Sequence, residues 1–491
     1  MKRRYGRCSD AMDSNNMNVA SMGRLLAAMI TIAVLGGASY GFTHYAITPI
    51  LPVPPNDATG TWGIAPNAGY VVGVQIWAKS GMDGRAINQG FLWQEPAPLV
   101  QLPALNGDPW SNAFAVNDRG QAVGFSGEYN TSAGTACLWD GNSVMGLQTP
   151  PLYATRANGT NNSGLIVGLK ADLTLFGKGT AAVWVDRAIS KVGSGLTESG
   201  RHLSSAYGVN EEGQIVGEAY DTTEEKFTHA FFWDGEPSSD ALDLPEVPDA
   251  QATIAYALND LGQAVGTARL STGENIAVLW DADHQSIQTI PGLAGASDPL
   301  LGHARAINNA GWVVGFGREP WLWNEAEGSI RLKQLLVGPD ADRWDFTDTS
   351  AAAMGIDNRG RIAGEALYEG QITAFLLTPV PDEPVTIDIK PGRYPNNVNL
   401  QNSWAIRVAI LSTVDFNAPS QIDRDSLTFG RTGFEDSLAF CNPRGKDVNE
   451  DGLEDLVCHF LTEDTGFQSG DTEGLLEGKT VDGVPIGGRD S

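Results

Sequence analysis

Cysteine is scarce, with 4 in 491 residues, so disulfides cannot be the main support of a chain this long. Basic charge is scarce too: 32 Lys and Arg stand against 59 Asp and Glu, for a net charge of −27. Phosphate backbones are gripped by clustered cations, which excludes nucleic acid as a partner class. No block of like charge is long enough to act as an interaction tail, and the acidic excess reads as a solvating surface. The longest apolar run, Leu25 to Ala38, is fourteen residues, short of the roughly 20 that a spanning helix needs. Catalytic signatures are missing as well. There is no HExxH, GxSxG, P-loop or Gly-x-Gly-x-x-Gly, and His44, His202, His229, His284, His303 and His459 show no metal-ligand spacing.

What the N-terminus does contain is an address. Lys2, Arg3, Arg4, Arg7 and Arg24 precede the apolar run, and the small residues Ala38, Ser39 and Gly41 follow it. This order predicts a secretory signal peptide over residues 1–41 and no stable membrane span after its cleavage. No Cys follows the run, so a lipoprotein anchor is not supported. The expected location is secreted, extracellular, periplasmic or at the cell surface.

The rest of the chain is mostly repeat. A Val-Gly step, Ala-Gly in the last copy, ends at Gly73, Gly124, Gly168, Gly217, Gly266, Gly315 and Gly364, with gaps of 51, 44, 49, 49, 49 and 49 residues. Most copies carry Asn-x-x-Gly just upstream, as in Asn117 to Gly120, Asn210 to Gly213, Asn259 to Gly262 and Asn308 to Gly311, with Asp357 to Gly360 in the seventh. An Asn or Asp side chain bonds amides ahead of it and Gly lets the chain leave the turn, so each copy predicts a hairpin. A third apolar run then ends in an aromatic, for example Cys137-Leu138-Trp139 or Val278-Leu279-Trp280. A weaker fourth run, such as Ile287 to Ile290, follows six of the seven. After the seventh copy the chain enters 381–384, which reads as a linker, while Tyr45 to Leu51 at the other end resembles a fourth strand.

Seven sets of three strands, six internal fourth strands and one N-terminal strand make seven complete blades. The expected fold is therefore all-β: a seven-bladed β-propeller over residues 44–380, closed by an N-terminal strand, in preference to a solenoid with capping repeats. Trp at a fixed place in successive copies reads as filling between blades, in preference to a sugar-stacking ring.

The frame apolar-Asn-x-x-Gly-x-x-Val-Gly, followed by His229-Ala230-Phe231-Phe232-Trp233, resembles the bacterial extracellular HAF-repeat family, as does the opening Tyr45-Ala46-Ile47-Thr48. The likeness covers roughly 44–380 and implies a repeat scaffold; no activity is carried over with it. Copy two has Ala136-Cys137 and copy five Ala277-Val278 where the triplet falls, so the His is not a shared ligand.

Residues 385–491 break the period. Strand-like runs at Val385 to Lys390, Ala405 to Leu411 and Leu456 to Phe460, between Pro, Gly and Asn turns, predict a small β-sandwich-like domain. Within it, Asp447, Asn449, Asp451 and Asp455 occupy positions one, three, five and nine of a calcium loop, with Gly452 at six and the Leu453 carbonyl at seven. Position twelve is Cys458 and the loop runs into a strand, which departs from an EF-hand. The motif resembles dockerin-like and thrombospondin-like loops, and the Ile-Lys-Pro-Gly start resembles C-terminal modules of bacterial and archaeal surface proteins, implying a structural calcium and no catalysis. An Asx-turn without metal is the other reading of the same residues. Cys441 and Cys458 flank this loop and are available as a pair; Cys137 falls at an inward third-strand position as a small hydrophobe.

Two functions fit. The first is a secreted or surface propeller that binds or scaffolds an extracellular glycan or protein. The alternative is a hydrolase or lyase acting on an extracellular polysaccharide, because propeller enzymes assemble their sites from loops of different blades. Clustered Asp and Glu at equivalent loop positions would favour the enzyme; a wall of aromatics without them would favour the binder.

Overall fold

The computed structural model describes residues 44–491, apart from 55, 78–86, 128–133, 174–178, 192–202, 221–227, 293–301, 339, 381–382, 394–395, 397, 400–403, 434 and 482–483. The leader read over 1–41, and His202, lie outside these residues.

Each Asn-x-x-Gly segment is a hairpin turn, as its residues dictate. In the fifth copy, Asn259 Oδ1 accepts from the Leu261 and Gln263 amides at 3.1 and 3.0 Å, and Gly262 leaves the turn at a φ of 86°. The hairpin strands Ala250–Leu258 and Ala264–Leu270 are followed by Asn275–Trp280 and the short outer strand Ile287–Thr289, making one antiparallel blade. Blades one to six all have this order, within residues 58–101, 110–146, 153–191, 203–243, 250–289 and 303–331. Blade seven takes three strands from 352–380 and its fourth from the other end of the chain. His44–Ile50 lies antiparallel to Gln371–Val380, with Ile50 opposite Ala374 and Ile47 opposite Leu377. The ring is thus closed by the N-terminal strand, as expected.

The repeated glycine has a steric cause. In every blade the innermost strand carries a β-bulge opposite it: Ala113 pairs Gly124, Ala115 pairs Val123, and Phe114 is left over. A Cβ on Gly124 would meet the Asn112 carbonyl at 1.8 Å, and one on Gly266 would meet the Ile254 carbonyl at the same distance. Only Gly lets the second strand pass the bulged backbone.

The wedges between blades are filled as the Trp pattern predicts. Trp139 packs with Ala65, Val72 and Leu102 of blade one, and Trp184 with Val123, Ala136 and Leu147 of blade two. Their indole N–H groups find carbonyls, Trp139 on Pro103 at 2.7 Å and Trp184 on Gln148 at 3.0 Å, so these large side chains bury no orphan donor. Cys137 is buried in the same cluster as Trp139, and burial, with Asp108 nearby, pushes its thiol up to about 12.

One region departs from the repeat. The run Ile330 to Lys333 reads as a fourth strand, but the strand is Gly328–Arg331 and the chain then enters a 3-10 turn, Leu332–Leu335. Leu336–Val337 pairs in parallel with Tyr45 and Ala46, and Trp344–Asp345 pairs with Tyr368 and Leu367. This excursion adds two short strands to blade seven and covers the edge of the closing strand.

Residues beyond the propeller form two four-stranded sheets around Ile387, Ile406, Val408, Phe429, Leu456, Phe460, Leu476 and Ile486. This is a β-sandwich. The linker is shorter than expected, because Glu383–Pro384 already pairs in parallel with Ile486 and Gly487.

Candidate functional site

The bulges aim one side chain per blade at the central channel. Those residues are Trp62, Phe114, Asn158, Tyr207, Tyr256, Arg305 and Met354, and all seven line a cavity of about 360 Å³. Each sits between small neighbours, as in Ala206-Tyr207-Gly208 or Ala304-Arg305-Ala306. The innermost strands crowd one another here: a Cβ on Gly159 would meet the Tyr207 carbonyl at 2.7 Å, and one on Gly63 the Phe114 carbonyl at 3.0 Å. A small-variable-small pattern ten residues before the repeat glycine, eleven in the first copy, was therefore the signal for the channel wall. Sequence reading by apolar runs missed it, because these residues look like ordinary strand content.

The wall is aromatic and cationic. Trp62 is 39% exposed, whereas the third-strand Trp93, Trp139, Trp184, Trp233, Trp280 and Trp323 are at most 7% exposed, so the channel holds an accessible ring and the wedges do not. Trp62 meets Phe114 edge-on at 5.5 Å, and Tyr207 meets Tyr256 at 5.7 Å. Arg156, two residues before the bulge of blade three, lies over the Phe114 ring at 5.6 Å; Arg305 lies over Tyr256 at 4.3 Å. Tyr207 donates its hydroxyl to Glu218 at 2.6 Å, and burial, then the Glu218 charge, raises that phenol well above its usual range. Burial also raises Tyr256.

The rim of the cavity carries acidic residues at equivalent turn positions, and their oxygens are already engaged. Going round the ring, the Asp118 amide donates to Asn162 Oδ1, Asn162 to Glu211 Oε1, Glu211 to Asp260 Oδ1, Asp260 to Asn309 Oδ1 and Asn309 to Asn358 Oδ1, all at 2.8–3.0 Å. Asn358 bonds the Pro66 carbonyl and Asn67, and the Asn67 amide returns to Asp118 at 2.7 Å. One link per blade closes the circle. A second series of links lies beside it from blade two to blade seven: Asn117, Asn161, Asn210, Asn259 and Asn308 each donate Nδ2 to the corresponding carbonyl of the next blade at 2.8–3.2 Å. The repeat Asn thus makes its turn and also ties two blades. Only the first role is legible from a local motif.

These bonds and burial pull the rim carboxyls in opposite directions. Burial pushes the Asp118 carboxyl up, but the Asn67 and Asn162 side chains and the Asn67 and Ala68 amides prevail and hold it below its usual range. Glu211 is raised by burial, against the Asn162 amide, with Asp260 and Asp118 adding to the rise.

The histidines hold structural places. His229, the His of the triplet, pairs with Glu246 at 2.8 Å; His303 bonds Thr267 at 3.0 Å; His284 stacks on Phe232 and His459 on Phe440. His44 lies 3.9 Å from Glu477 of the second domain.

In that domain the acidic loop is a tight turn. Asp447 accepts from the Asp451 and Gly452 amides at 3.2 and 2.9 Å, Asn449 Oδ1 faces the Asp451 amide at 3.3 Å, and Asp451 accepts from Leu453 at 2.8 Å. Asp451 Oδ2 also accepts from Asn449 Nδ2 at 2.9 Å, so the three side chains meet on one exposed turn bonded to one another and to its amides; among the described residues no group of three or more His, Cys, Asp or Glu is placed to hold a metal ion. Asp455 differs: it is fully buried, and its two oxygens accept from the Ser412 and Val448 amides at 2.8 and 2.9 Å. It anchors the loop to the sandwich. Cys441 and Cys458 form a disulfide that closes the segment at its base.

No protein-family model and no curated protein matches this chain. Solved structures similar to it include the β-propeller domain of the Trilobed protease from Pyrococcus furiosus, at 10% identity over 66% of this chain and 94% of that one, with a TM-score of 0.41. TolB from Acinetobacter baumannii matches at 10% identity over 74% and 70%, TM-score 0.36, and an oligogalacturonate lyase in complex with manganese at 12% over 70% and 94%, TM-score 0.41. Likenesses this distant say nothing of what this chain binds or does.

Proposed function

We propose that this chain is an extracytoplasmic binding propeller whose ligand site is the central channel. The observation that carries this reading is the ring of bulged side chains: one per blade, four of the seven aromatic, one of them the accessible Trp62. A concave site lined by aromatics with a few convergent polar groups is what small-ligand binding requires. The rim carboxylates that a polysaccharide hydrolase or lyase would need as acid and base are committed to neighbouring amides, which favours binding over turnover. The leader pattern of 1–41 and the Cys441–Cys458 disulfide both support an oxidising, extracytoplasmic location. The HAF-repeat resemblance over 44–380 agrees with an extracellular scaffold.

Within the same proposal, the sandwich is an accessory module in which Asp447, Asn449, Asp451 and the Leu453 carbonyl would hold a structural calcium ion. Asp455 positions that loop from beneath.

A thermal-shift panel of neutral and acidic sugars, amino acids and aromatic acids on the full chain tests the channel reading. A ligand whose stabilisation disappears in Trp62→Ala and Tyr256→Ala supports it. Turnover of a polysaccharide, abolished by Glu211→Gln or Asp260→Asn, would replace it with the enzyme.

A further inference from the structure

We propose that the channel ligand is anionic: a ring compound bearing a carboxylate, which meets Arg156 and Arg305 while its face lies on the aromatic wall. This rests on the channel being the binding site. The Nε of both arginines is buried without a hydrogen-bond partner. Among the described residues, each guanidinium has a ring as its neighbour, Phe114 for Arg156 and Tyr256 for Arg305. The carboxylates of the site bond neutral donors in place of the arginines, Glu218 the Tyr207 hydroxyl and Glu211 and Asp260 amides of the adjoining blades.

A ring face returns only part of what it costs to withdraw a cation from water. Although the chain carries 27 surplus negative charges, neither arginine forms an ion pair among the described residues, and Arg305 has the Tyr256 hydroxyl as its side-chain partner. Burial depresses the Arg305 guanidinium accordingly. A carboxylate offers the matching geometry, because a planar guanidinium binds it through paired N–H groups. Blades three and six lie three apart on a ring of seven, so the two arginines approach the ligand from opposite sides. Between them, Tyr207 and Tyr256 present adjacent rings for a flat apolar face.

An acidic sugar and an aromatic acid share this chemistry. Isothermal titration of the full chain with D-glucuronate, benzoate and D-glucose separates them, since glucuronate and glucose differ only in the carboxylate. The expected result is heat with glucuronate or benzoate, none with glucose, and at least a tenfold loss of affinity in both Arg156→Gln and Arg305→Gln. Which acid binds identifies the source. Because each substitution removes a half-buried cation that has no carboxylate partner, the ligand-free variants should melt at or above the wild-type temperature; melting several degrees lower would make the arginines structural and overturn the inference. Glucose binding that is lost in Tyr256→Ala and unaffected by Arg305→Gln overturns the anion and leaves the channel reading intact. Binding insensitive to every channel substitution overturns both.

Discussion

Asp357 is fastened to Arg361 at 2.7 Å where the ring closes, and the same guanidinium reaches the Asn67 carbonyl at 2.9 Å. Five other blades use an Asn amide for this inter-blade link. Asp has no N–H to donate, so the neighbouring arginine supplies it. The Asp357 carboxyl is fully buried, and burial raises its pKa against the lowering effect of Arg361.

Arg361→Gln should therefore destabilise by about 3 kcal/mol, the scale for leaving one member of a buried ion pair alone. Asp357→Asn together with Arg361→Gln recreates the Asn and Gln pair seen at Asn210 and Gln214, and should recover most of that loss. Urea denaturation of both variants measures it. A double variant no more stable than Arg361→Gln would show that the closing pair is not a substitute for the repeat amide.

Deleting His44–Ile50 leaves Gln371–Val380 as an unpaired edge. The shortened protein should aggregate at concentrations where the intact chain is monodisperse by light scattering. A monodisperse, equally stable product would mean that closure contributes little.

Glu365 gives the joint a pH dependence. Its Oε2 accepts from the Thr61 amide at 3.2 Å across blades seven and one, and burial pushes its carboxyl from 4.5 up to about 7. Between those values the unfolded chain gives up a proton that the folded chain keeps. Stability from this group is present below pH 4.5 and lost as pH rises to 7, an effect of at most about 3 kcal/mol. Glu365→Gln abolishes that loss, so it should raise the melting temperature relative to wild type more at pH 8 than at pH 4.5. An equal difference at both pH values would contradict the burial account.

Millimolar calcium should raise the melting temperature of the second-domain transition in the full chain, by mass action on the folded state. Asp447→Ala and Asp451→Ala should lose that response while keeping the disulfide, whose reduction costs about 2–4 kcal/mol for a loop of this size. Calorimetry without calcium heat in the wild type would leave Asp447 to Asp455 as a polar turn.

Much of the fold was legible because one set of residues is written seven times. Strand order, the closing strand and the wedge Trp residues all follow from spacing and apolar pattern. The fourth strands proved shorter than their apolar runs, and the 332–351 excursion was invisible because it belongs to one copy alone. The channel wall was hidden for a different reason. A β-bulge is a relation between two strands, and nothing in Tyr256 or Arg305 by itself announces that its carbon chain turns inward. Likewise the second bond of Asn259 goes to a residue 49 positions away, beyond the reach of a local motif.

The central claim is that the bulge ring makes the channel a binding site. A crystal structure of the protein with a ligand returned by the thermal-shift panel tests it most directly. The account predicts that ligand inside the ring, with Tyr256 and Trp62 against its faces; the same ligand seated on the outer blades or on the second domain, with the channel vacant, would contradict it.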